Sequence, residues 1–487
     1  MMRHLTAHRL HQWAGLGAGL WLAVLGLTGF VLDHRDWVWL WQSGIPPAWV
    51  PERIVRKAEA GQVLFYRFLG GSRRITGGRS GLWWSEDAGR HWAPVRVSHG
   101  DRVPPVYQML RHGGEWLLAT ADGLWALGDN GREAHRRQFS GYAVTALAPR
   151  DGGRLWVVVD RSELWSLSME SGQSEQMTLP AITIAELPPG VTLSRWVHDL
   201  HFGRGVFAAP WSLLWSDAAG LGMMILPLTG FLYWWLPRRF RGRRRAGQPA
   251  SAVLQRHTIR WLYRLHGPLV GLLVVLPMSY LAVTGILLDH GAGLRSWMKS
   301  IQLPRAILPP VYELSGWQGE IRAVLGWPQA PDRVSLGTRL GLFILEDGRM
   351  RREALPDDRA VFIWMARQDA GIPALGGMGG PNYLRVEGRW QAQPPGVHMP
   401  SDVVRDEQGR LLWMSRGSLF QRTGAGYEAV SAAMPELEFV PWHDLIEGLH
   451  TGLLLHPQWK WANDLFAMLA LLLAVTGLWR WWRVKWL

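Results

Sequence analysis

The stretch from Trp13 to Leu32, WAGLGAGLWLAVLGLTGFVL, contains no charged residue. A helix needs about 20 mostly apolar residues to cross the hydrocarbon core of a bilayer, so this stretch predicts a membrane-spanning helix. Three further stretches are also uncharged, at 218–236, 267–288 and 465–479, and a Trp-Trp pair lengthens the last of them. We therefore expect four spans and a lipid bilayer as the chain's surroundings.

The composition excludes several kinds of site. The chain of 487 residues contains no cysteine, which excludes disulfides, iron–sulfur clusters, cysteine-ligated zinc and covalently attached c-type haem. Any bound metal must then be held by histidine, carboxylate, methionine or tyrosine side chains. The 17 histidines are the first candidates.

Basic residues predict the orientation of the spans. Lys and Arg together exceed Asp and Glu by 13, and the densest run, Arg238–Arg245, follows the apolar stretch that ends in YWWL. Arginines beside interfacial Trp and Tyr indicate the cytoplasmic end of a span, so we expect no nucleic-acid partner. Further basic residues precede the first span and follow the fourth. The sequence therefore predicts a multi-pass protein of the bacterial inner membrane, with both termini cytoplasmic and two large periplasmic segments.

An internal duplication organises the chain. Spans one and three share Arg-Leu-His, Thr-Gly and Leu-Asp-His in the same order, at offsets of 255 to 256 positions. Spans two and four share Leu-His, an aspartate, Thr-Gly and Trp-Trp. Because small residues let helices approach closely, we interpret the four Thr-Gly pairs as packing positions.

This duplication predicts a membrane α + β protein with four transmembrane helices built as a repeated two-helix unit. The expected segments are, in order, transmembrane helix 1 with a cytoplasmic N-terminus, a periplasmic β-rich segment, helix 2, a basic cytoplasmic loop, helix 3, a second periplasmic β-rich segment, and helix 4 with a cytoplasmic C-terminus: 1–36, 37–197, 198–237, 238–263, 264–292, 293–441 and 442–487.

The two external segments also contain repeats. The first has Gly-Leu-Trp at Gly81 and Gly123 and Glu-Leu-Trp at Glu163, and the second has related triplets that start at Gly341, Asn382 and Ser418. A period near 40 residues with short strands is typical of propeller blades, so three plus three repeats predict one six-bladed propeller. Two separate small β-domains are the alternative. The motif at Ser85–Trp92 resembles the Asp-box turn of sialidase-like propellers, which is structural.

Three pairs of histidines occupy equivalent places in the two halves: His11 with His266, His34 with His290, and His201 with His450. Histidines that face inward from opposing helices of a bundle can ligate haem iron. His11 and His34 lie about 34 Å apart along one helix, so they cannot share one haem. We expect one b-type haem held by His11 and His266, and one or two more that use the other four histidines, whose pairing the sequence leaves open.

Two aspartates, Asp217 and Asp464, occupy matched positions at the starts of spans two and four. Ionisable residues at membrane depth are commonly functional. One interpretation is a hydrogen bond from each carboxylate to a ligating histidine. The alternative is an acid at the membrane interface that caps the start of a helix.

The motifs around spans one and two, RLHQWAGL at 9–16 and Leu-Thr-Gly at 27–29 among them, resemble the PepSY-associated transmembrane family. That family includes bacterial inner-membrane reductases that carry b-type haem and pass electrons to ferric siderophores in the periplasm. The resemblance implies His11, His201, His266 and His450 as the haem ligands. The propeller-like segments depart from the α/β modules usual in the family.

Two functions are compatible with these features. The first is a transmembrane haem-dependent reductase that takes electrons from an external donor on the cytoplasmic side, because no flavin or nicotinamide domain is visible, and reduces a periplasmic acceptor such as a ferric chelate. The second is a non-redox module in which four helices anchor a β-propeller used for binding or assembly.

Overall fold

The structure is a computed structural model that describes residues 7–97, 102–128, 131–208, 210–247, 251–356, 361–368, 371–424 and 426–486. The chain divides into two compact units. We call them the helical unit (Met1–Arg35, Leu193–Ser300, Leu445–Leu487) and the β-sheet unit (Asp36–Thr192, Ile301–Asp444). Each unit takes segments from both halves of the duplicated sequence, so neither half folds as a separate body.

Helices make up most of the helical unit. The described residues form ten α-helices: α1 (Ala7–Asp33), α2 (Trp39–Gln42), α3 (Glu52–Gln62), α4 (Leu193–His201), α5 (Trp211–Arg245), α6 (Ala252–Arg264), α7 (Leu272–Asp289), α8 (Gly291–Ser300), α9 (Trp442–His450) and α10 (Lys460–Trp486). Four helical stretches are long and apolar enough to span a membrane, as predicted: Ala7–Asp33, Trp211–Arg245, Val253–Asp289 and Lys460–Arg483.

Two features of these helices go beyond the sequence pattern. The segment 198–237 contains two helices, because α4 ends at His201 and α5 begins at Trp211. The third span joins α6 to α7 through a π-helical turn, Leu265–Gly271, which contains Pro268. Proline has no backbone N–H and its ring clashes with the preceding turn of an α-helix, which accounts for the wider turn here.

Small residues let the spanning helices pack closely. Helix α1 packs against α5 and α10, and α7 packs against the same two helices. A Cβ atom added to Gly26 would lie 2.6 Å from the carbonyl oxygen of Gly220, so α1 and α5 touch backbone to backbone. The centre of the bundle is filled by five buried side chains: Ala18, Leu22, Met278, Ala470 and Ala474. Close contact through glycine and alanine is the usual way that helices associate in a bilayer.

Short strands make up most of the β-sheet unit. The described residues form 29 of them: β1 (Gly44–Ile45), β2 (Phe65–Phe68), β3 (Arg74–Gly78), β4 (Gly81–Ser85), β5 (Ala93–Pro94), β6 (Arg96–Val97), β7 (Val106–His112), β8 (Glu115–Thr120), β9 (Gly123–Leu127), β10 (Glu133–Gln138), β11 (Val144–Pro149), β12 (Arg154–Val159), β13 (Glu163–Ser168), β14 (Ser174–Met177), β15 (Gly190–Thr192), β16 (Gln302–Pro304), β17 (Ala323–Gly326), β18 (Val334–Thr338), β19 (Gly341–Glu346), β20 (Arg349–Arg352), β21 (Phe362–Arg367), β22 (Ala374–Met378), β23 (Tyr383–Val386), β24 (Arg389–Ala392), β25 (Asp402–Arg405), β26 (Leu411–Ser415), β27 (Ser418–Thr423), β28 (Gly426–Val430) and β29 (Val440–Pro441).

Six antiparallel sheets organise these strands. They are β2–β5, β7–β10, β11–β14, β17–β20, β21–β24 and β25–β28, and β6 adds to the second sheet in parallel to β10. Two short pairs, β1 with β29 and β15 with β16, join distant parts of the chain. Each of the six sequence repeats coincides with the third strand of a sheet, so the period near 40 residues reflects one sheet per repeat.

Glycine is required where three of these third strands begin. Gly81, Gly123 and Gly341 have φ angles of 125°, 97° and 138°. An L side chain rarely adopts such a conformation, which explains the repeated glycine at the tight turn into the strand. In the motif at 85–92, Ser85 Oγ accepts a hydrogen bond from Gly89 N at 2.9 Å, so this segment forms a turn after β4.

The sheets contact one another in chain order. Strands β7, β11, β17, β21 and β25 each contact the next one, β25 contacts β2, and β3 contacts β7. The contacts therefore run through all six sheets and return to the first.

A buried charge cluster lies where β25 of the last sheet contacts β2 of the first sheet. Asp402 is fully buried on β25 and pairs with Arg67 of β2 and with Arg367 of β21, whose Nε donates to Asp402 Oδ1 at 2.9 Å. Arg67 also donates to the carbonyl of Met109 on β7 at 3.1 Å. One carboxylate therefore joins strands from both halves of the chain.

We expect Asp402→Asn to destabilise the β-sheet unit by about 3–5 kcal/mol, because it leaves two buried arginines without their anion. Glu115→Gln removes the partner of Arg137, a much more exposed pair, and we expect a loss of at most about 1 kcal/mol. Urea unfolding of the full chain in detergent, followed by tryptophan fluorescence, measures both. Equal losses in the two variants would contradict the role given to Asp402.

Candidate functional site

Four histidines in the helical unit each contact a threonine of a spanning helix. The Nδ1 atom of each imidazole lies close to the threonine Oγ1 atom: His11 to Thr476 at 2.8 Å, His266 to Thr229 at 3.1 Å, His201 to Thr284 at 3.1 Å, and His450 to Thr28 at 2.8 Å. In every case the histidine and the threonine come from opposite halves of the duplication. These four contacts therefore tie the two copies together.

The hydrogen-bond donors in these contacts can be assigned by counting. Each threonine Oγ1 lies 2.7 Å from the carbonyl oxygen four residues earlier in its helix, to which it donates its single hydrogen. The hydroxyl can then only accept from the imidazole, so Nδ1 carries the proton. Each ring also hydrogen-bonds the carbonyl of the leucine three residues before its threonine, and a carbonyl can only accept: Leu473, Leu226, Leu281 and Leu25.

Among the described residues none makes a hydrogen bond to Nε2 in any of the four histidines, so the lone pair on Nε2 is available. A neutral imidazole with Nδ1–H bonded to an oxygen and Nε2 available is the form that ligates metals. The chain therefore presents four rings that are fixed in orientation and in tautomer.

The glycine after each threonine leaves room for the ring. A Cβ atom at Gly230 would lie 2.9 Å from Cε1 of His266, and at Gly477 it would lie 3.4 Å from Cε1 of His11. At Gly285 and Gly29 the corresponding distances to His201 and His450 are 3.5 and 3.6 Å. The Thr-Gly pair thus acts as one seat, in which threonine accepts the hydrogen bond and glycine provides the space.

Two of the four rings lie side by side at one end of the bundle. The centroids of the His11 and His266 rings are 6.2 Å apart and the ring planes are inclined by 84°. His266 lies on the π-helical turn, and its Nδ1 also contacts the Leu226 carbonyl oxygen at 3.0 Å. His11 and His266 are therefore close enough that both imidazoles could hold one metal ion between them.

A cavity of about 760 Å³ opens beside these two rings. Its lining is mostly apolar and comes from α1, α5, the third span and α10, with a few polar side chains: His8, Gln12, Tyr233, Arg238, Tyr263 and Arg480. Cofactor sites commonly have about this volume and combine apolar walls with a few polar groups.

The other two rings lie on the short helices α4 and α9. Burial lowers the pKa of His201 and of His450, and the nearby His450 imidazole further lowers that of His201. Both rings are therefore neutral at pH 7. The seat of His450, Thr28, lies on α1 about 25 Å from His11, at about 1.5 Å of rise per residue. The helical unit thus has two pairs towards opposite ends of its spans; we call His11 with His266 the inner pair and His201 with His450 the outer pair, as labels only.

The third pair of sequence-predicted histidines has different partners. His34 Nε2 lies 3.7 Å from Asp217, and its Nδ1 contacts the Phe30 carbonyl oxygen at 2.9 Å. His290 Nε2 lies 2.7 Å from Asp464. The duplicated aspartates thus accompany His34 and His290 rather than the threonine-seated rings. Iron ligation by His34 and His290 stays a prediction.

Sequence reasoning missed part of the site. The sequence predicts a packing role for the Thr-Gly pair of each span, and it does not indicate which histidine each threonine contacts. His8 and Arg480 were also missed as cavity residues, because neither has a matched residue of the same type in the other half.

Comparison with known proteins shows the family of the chain. A family model described as the PepSY-associated TM region matches residues 8–483. No curated protein matches the chain.

Solved structures resemble the chain only weakly. Two are extracellular domains from B. thetaiotaomicron, described as parts of a hybrid two-component and a one-component system, each 10% identical, with TM-scores of 0.37 and 0.38. The chain covers 35% and 34% of their length, and they cover 78% and 80% of this chain. An ancestral GH74 enzyme, also 10% identical, has a TM-score of 0.34 and covers 81% of this chain, which spans 40% of that enzyme. The chain thus spans about a third of the length of the first two.

We expect Gly230→Ala to lower the thermal unfolding midpoint, because the added methyl group would press on His266, and overpacking typically costs about 1–3 kcal/mol. Gly17→Ala is the matched control: it also replaces a helical glycine, but its new methyl group meets no atom within 4 Å. Alanine favours helix, so the control should leave the midpoint unchanged or raise it. Circular dichroism of the full chain in detergent measures both. A stabilised Gly230→Ala variant would contradict the seat.

Proposed function

The chain belongs to the PepSY-associated transmembrane family, and from this premise we propose that it is a b-type haem protein that moves electrons across the membrane. The acceptor in this proposal is a periplasmic compound such as a ferric siderophore or another ferric chelate. The electrons come from an external donor on the cytoplasmic side. The activity is that of a transmembrane haem-dependent ferric reductase.

One observation carries the proposal: the threonine seats hold His11, His266, His201 and His450 with Nδ1 protonated and Nε2 free. The same tautomer at all four positions is the one that a metal-ligating histidine adopts when its Nδ1–H is bonded to an oxygen. The absence of cysteine from the sequence is compatible with non-covalent haem b, which needs no thioether bond to the chain.

The inner pair fits haem by ring separation, tautomer and surroundings. His11 and His266 could hold one iron between them, and the apolar cavity beside them would exclude water. The outer pair, His201 and His450, would hold a second. Iron held by two imidazoles changes oxidation state by one electron, which is the chemistry that haem would supply here. The helices contribute fixed ligand positions near both ends of the spans.

Charge supports the orientation. Residues 218–288 contain nine arginines and no Asp or Glu. An excess of Lys and Arg is typical of cytoplasmic connections. We therefore place the α5–α6 connection and both termini in the cytoplasm of a bacterium, with the chain in the inner membrane. Residues 36–192 and 301–444 are then periplasmic. The inner pair lies towards the cytoplasm and the outer pair towards the periplasm.

We also propose that the six sheets form a single six-bladed propeller. The repeated four-stranded sheets and the cycle of contacts that returns from β25 to β2 support this arrangement. In it, the buried cluster of Arg67, Asp402 and Arg367 would lie near the central axis. We assign recognition of the acceptor to this unit.

Haem content tests the function. We expect purified full-length chain to show reduced b-type absorption bands on addition of dithionite. His266→Ala should lose the inner haem and block electrons from a cytoplasmic donor, while the outer haem stays reducible by dithionite. His450→Ala should keep an inner haem that still accepts electrons but should not reduce an external ferric chelate. Each change removes one of two iron ligands, so a large loss of that haem is expected.

His257→Ala is the matched control, because His257 is exposed on α6 and accepts a hydrogen bond from Trp261 at 2.8 Å. It should keep both haems and full transmembrane reduction. A colourless preparation from haem-replete cells would favour the alternative function, a β-sheet unit anchored by four helices for binding or assembly. Full haem content in all three variants would show that the ligand assignment is wrong.

The orientation has its own test. A reporter that works only in the cytoplasm should be active when it is fused after Arg245. A reporter that works only in the periplasm should be active when it is inserted at Gly172. Gly172 has a positive φ and open space around it, so an insertion there should be tolerated. The opposite result at either position would overturn the orientation.

A further inference from the structure

Arg480 on α10 lines the same cavity as His11 and His266. It is half-buried, and its charge is close enough to act on the imidazoles of His8, His11 and His266. Within the described part of the chain, no hydrogen-bond acceptor or carboxylate pairs with its guanidinium. Its two basic neighbours on this side differ: Arg238 donates to the Trp234 carbonyl at 2.6 Å, and Arg483 lies over the Trp479 ring at 4.9 Å.

The sequence offers no nearby acid to neutralise Arg480. The stretches 1–32, 218–288 and 465–486, which supply the spans and their cytoplasmic ends, contain no Asp or Glu. Arginine keeps its charge in proteins, and a charge held beside an apolar cavity at membrane depth is costly without a counter-charge. No carboxylate of these stretches therefore balances the charge of Arg480.

We propose that Arg480 binds the carboxylate side groups of the haem assigned to this cavity. This inference rests on the proposed function and names the residue that would position the inner cofactor. A guanidinium can bind a carboxylate through two parallel hydrogen bonds, and it reaches this cavity from the helix that also carries Thr476, the seat of His11. Arg238, at the same cavity, supplies a second guanidinium.

The residue type at the position of Arg480 differs between the two halves of the duplication. Trp481 and Trp482 correspond to Trp234 and Trp235, so the residue equivalent to Arg480 is Tyr233. Tyr233 also lines the cavity, but its side chain is a phenol and not a guanidinium. The two ligands of the inner pair are equivalent, whereas at this matched position only α10 carries a guanidinium. Arg480 therefore fixes which way the carboxylate edge of the cofactor faces.

The test uses three variants of the full chain: Arg480→Gln, which removes the charge; Arg480→Lys, which keeps it without the planar fork; and Arg483→Gln, the matched control three residues along the same helix. Haem per chain and the reduction midpoint of each haem are measured in the purified protein. Bound acidic phospholipid is measured by mass spectrometry. The haem of the outer pair serves as an internal reference for folding in every variant.

We expect Arg480→Gln to lose most of the inner haem during purification. Any that remains should have a lower reduction midpoint, because the lost positive charge had favoured the reduced form. Arg480→Lys should retain more haem, and Arg483→Gln should match the unchanged chain in content and midpoint.

Three results would overturn the inference. Unchanged inner haem and midpoint in Arg480→Gln, with loss of that haem in His266→Ala, would refute the role of Arg480 and leave the proposed function intact. Loss of a bound acidic phospholipid without any haem change would show that the anion is a lipid phosphate. Equal haem loss in Arg483→Gln would show a general effect of charge. If neither the histidine nor the arginine variants change haem content, the proposed function itself fails.

Discussion

The hydrogen bond between a threonine hydroxyl and an imidazole Nδ1–H is the interaction on which the helical unit depends. The direction of this hydrogen bond is fixed, because the hydroxyl donates its single hydrogen to a carbonyl oxygen of its own helix. The histidine must therefore be the donor. The hydrogen bond is also long-range: His11 and Thr476 lie at opposite ends of the chain. Each of the four bonds joins one copy of the duplicated unit to the other, so the copies cannot separate without losing all four.

The same contact connects packing with chemistry. Glycine beside each threonine lets the ring approach the helix, and the ring in turn leaves Nε2 pointing away from its seat. Two rings at one end of the bundle and two on α4 and α9 then give the chain a pair of ligand positions near each end of its spans. The proposed transfer of electrons across the membrane requires such an arrangement, and the proposed orientation rests on the basic connection between α5 and α6.

Much of the fold could be predicted from local patterns. Uncharged stretches revealed the spans, and a period near 40 residues revealed the six sheets, because each depends on neighbours in sequence. The partners of single side chains could not be predicted in this way. Asp402 meets Arg67 across most of the chain, and Thr28 meets His450; such pairs depend on how the halves assemble. The role inferred for Arg480 could not be predicted for a related reason. It depends on which side chains surround its guanidinium in the folded chain.

The central claim is that the four threonine-seated histidines hold two haems. The most direct measurement is the number of haems per chain in the purified, unmodified protein, determined by the pyridine haemochrome spectrum against protein quantified by amino-acid analysis. Two haem b per chain, both low-spin with two nitrogen ligands by electron paramagnetic resonance, is the expected result. A chain purified from haem-replete cells with no haem, or with haem whose iron has a ligand other than histidine, would contradict it.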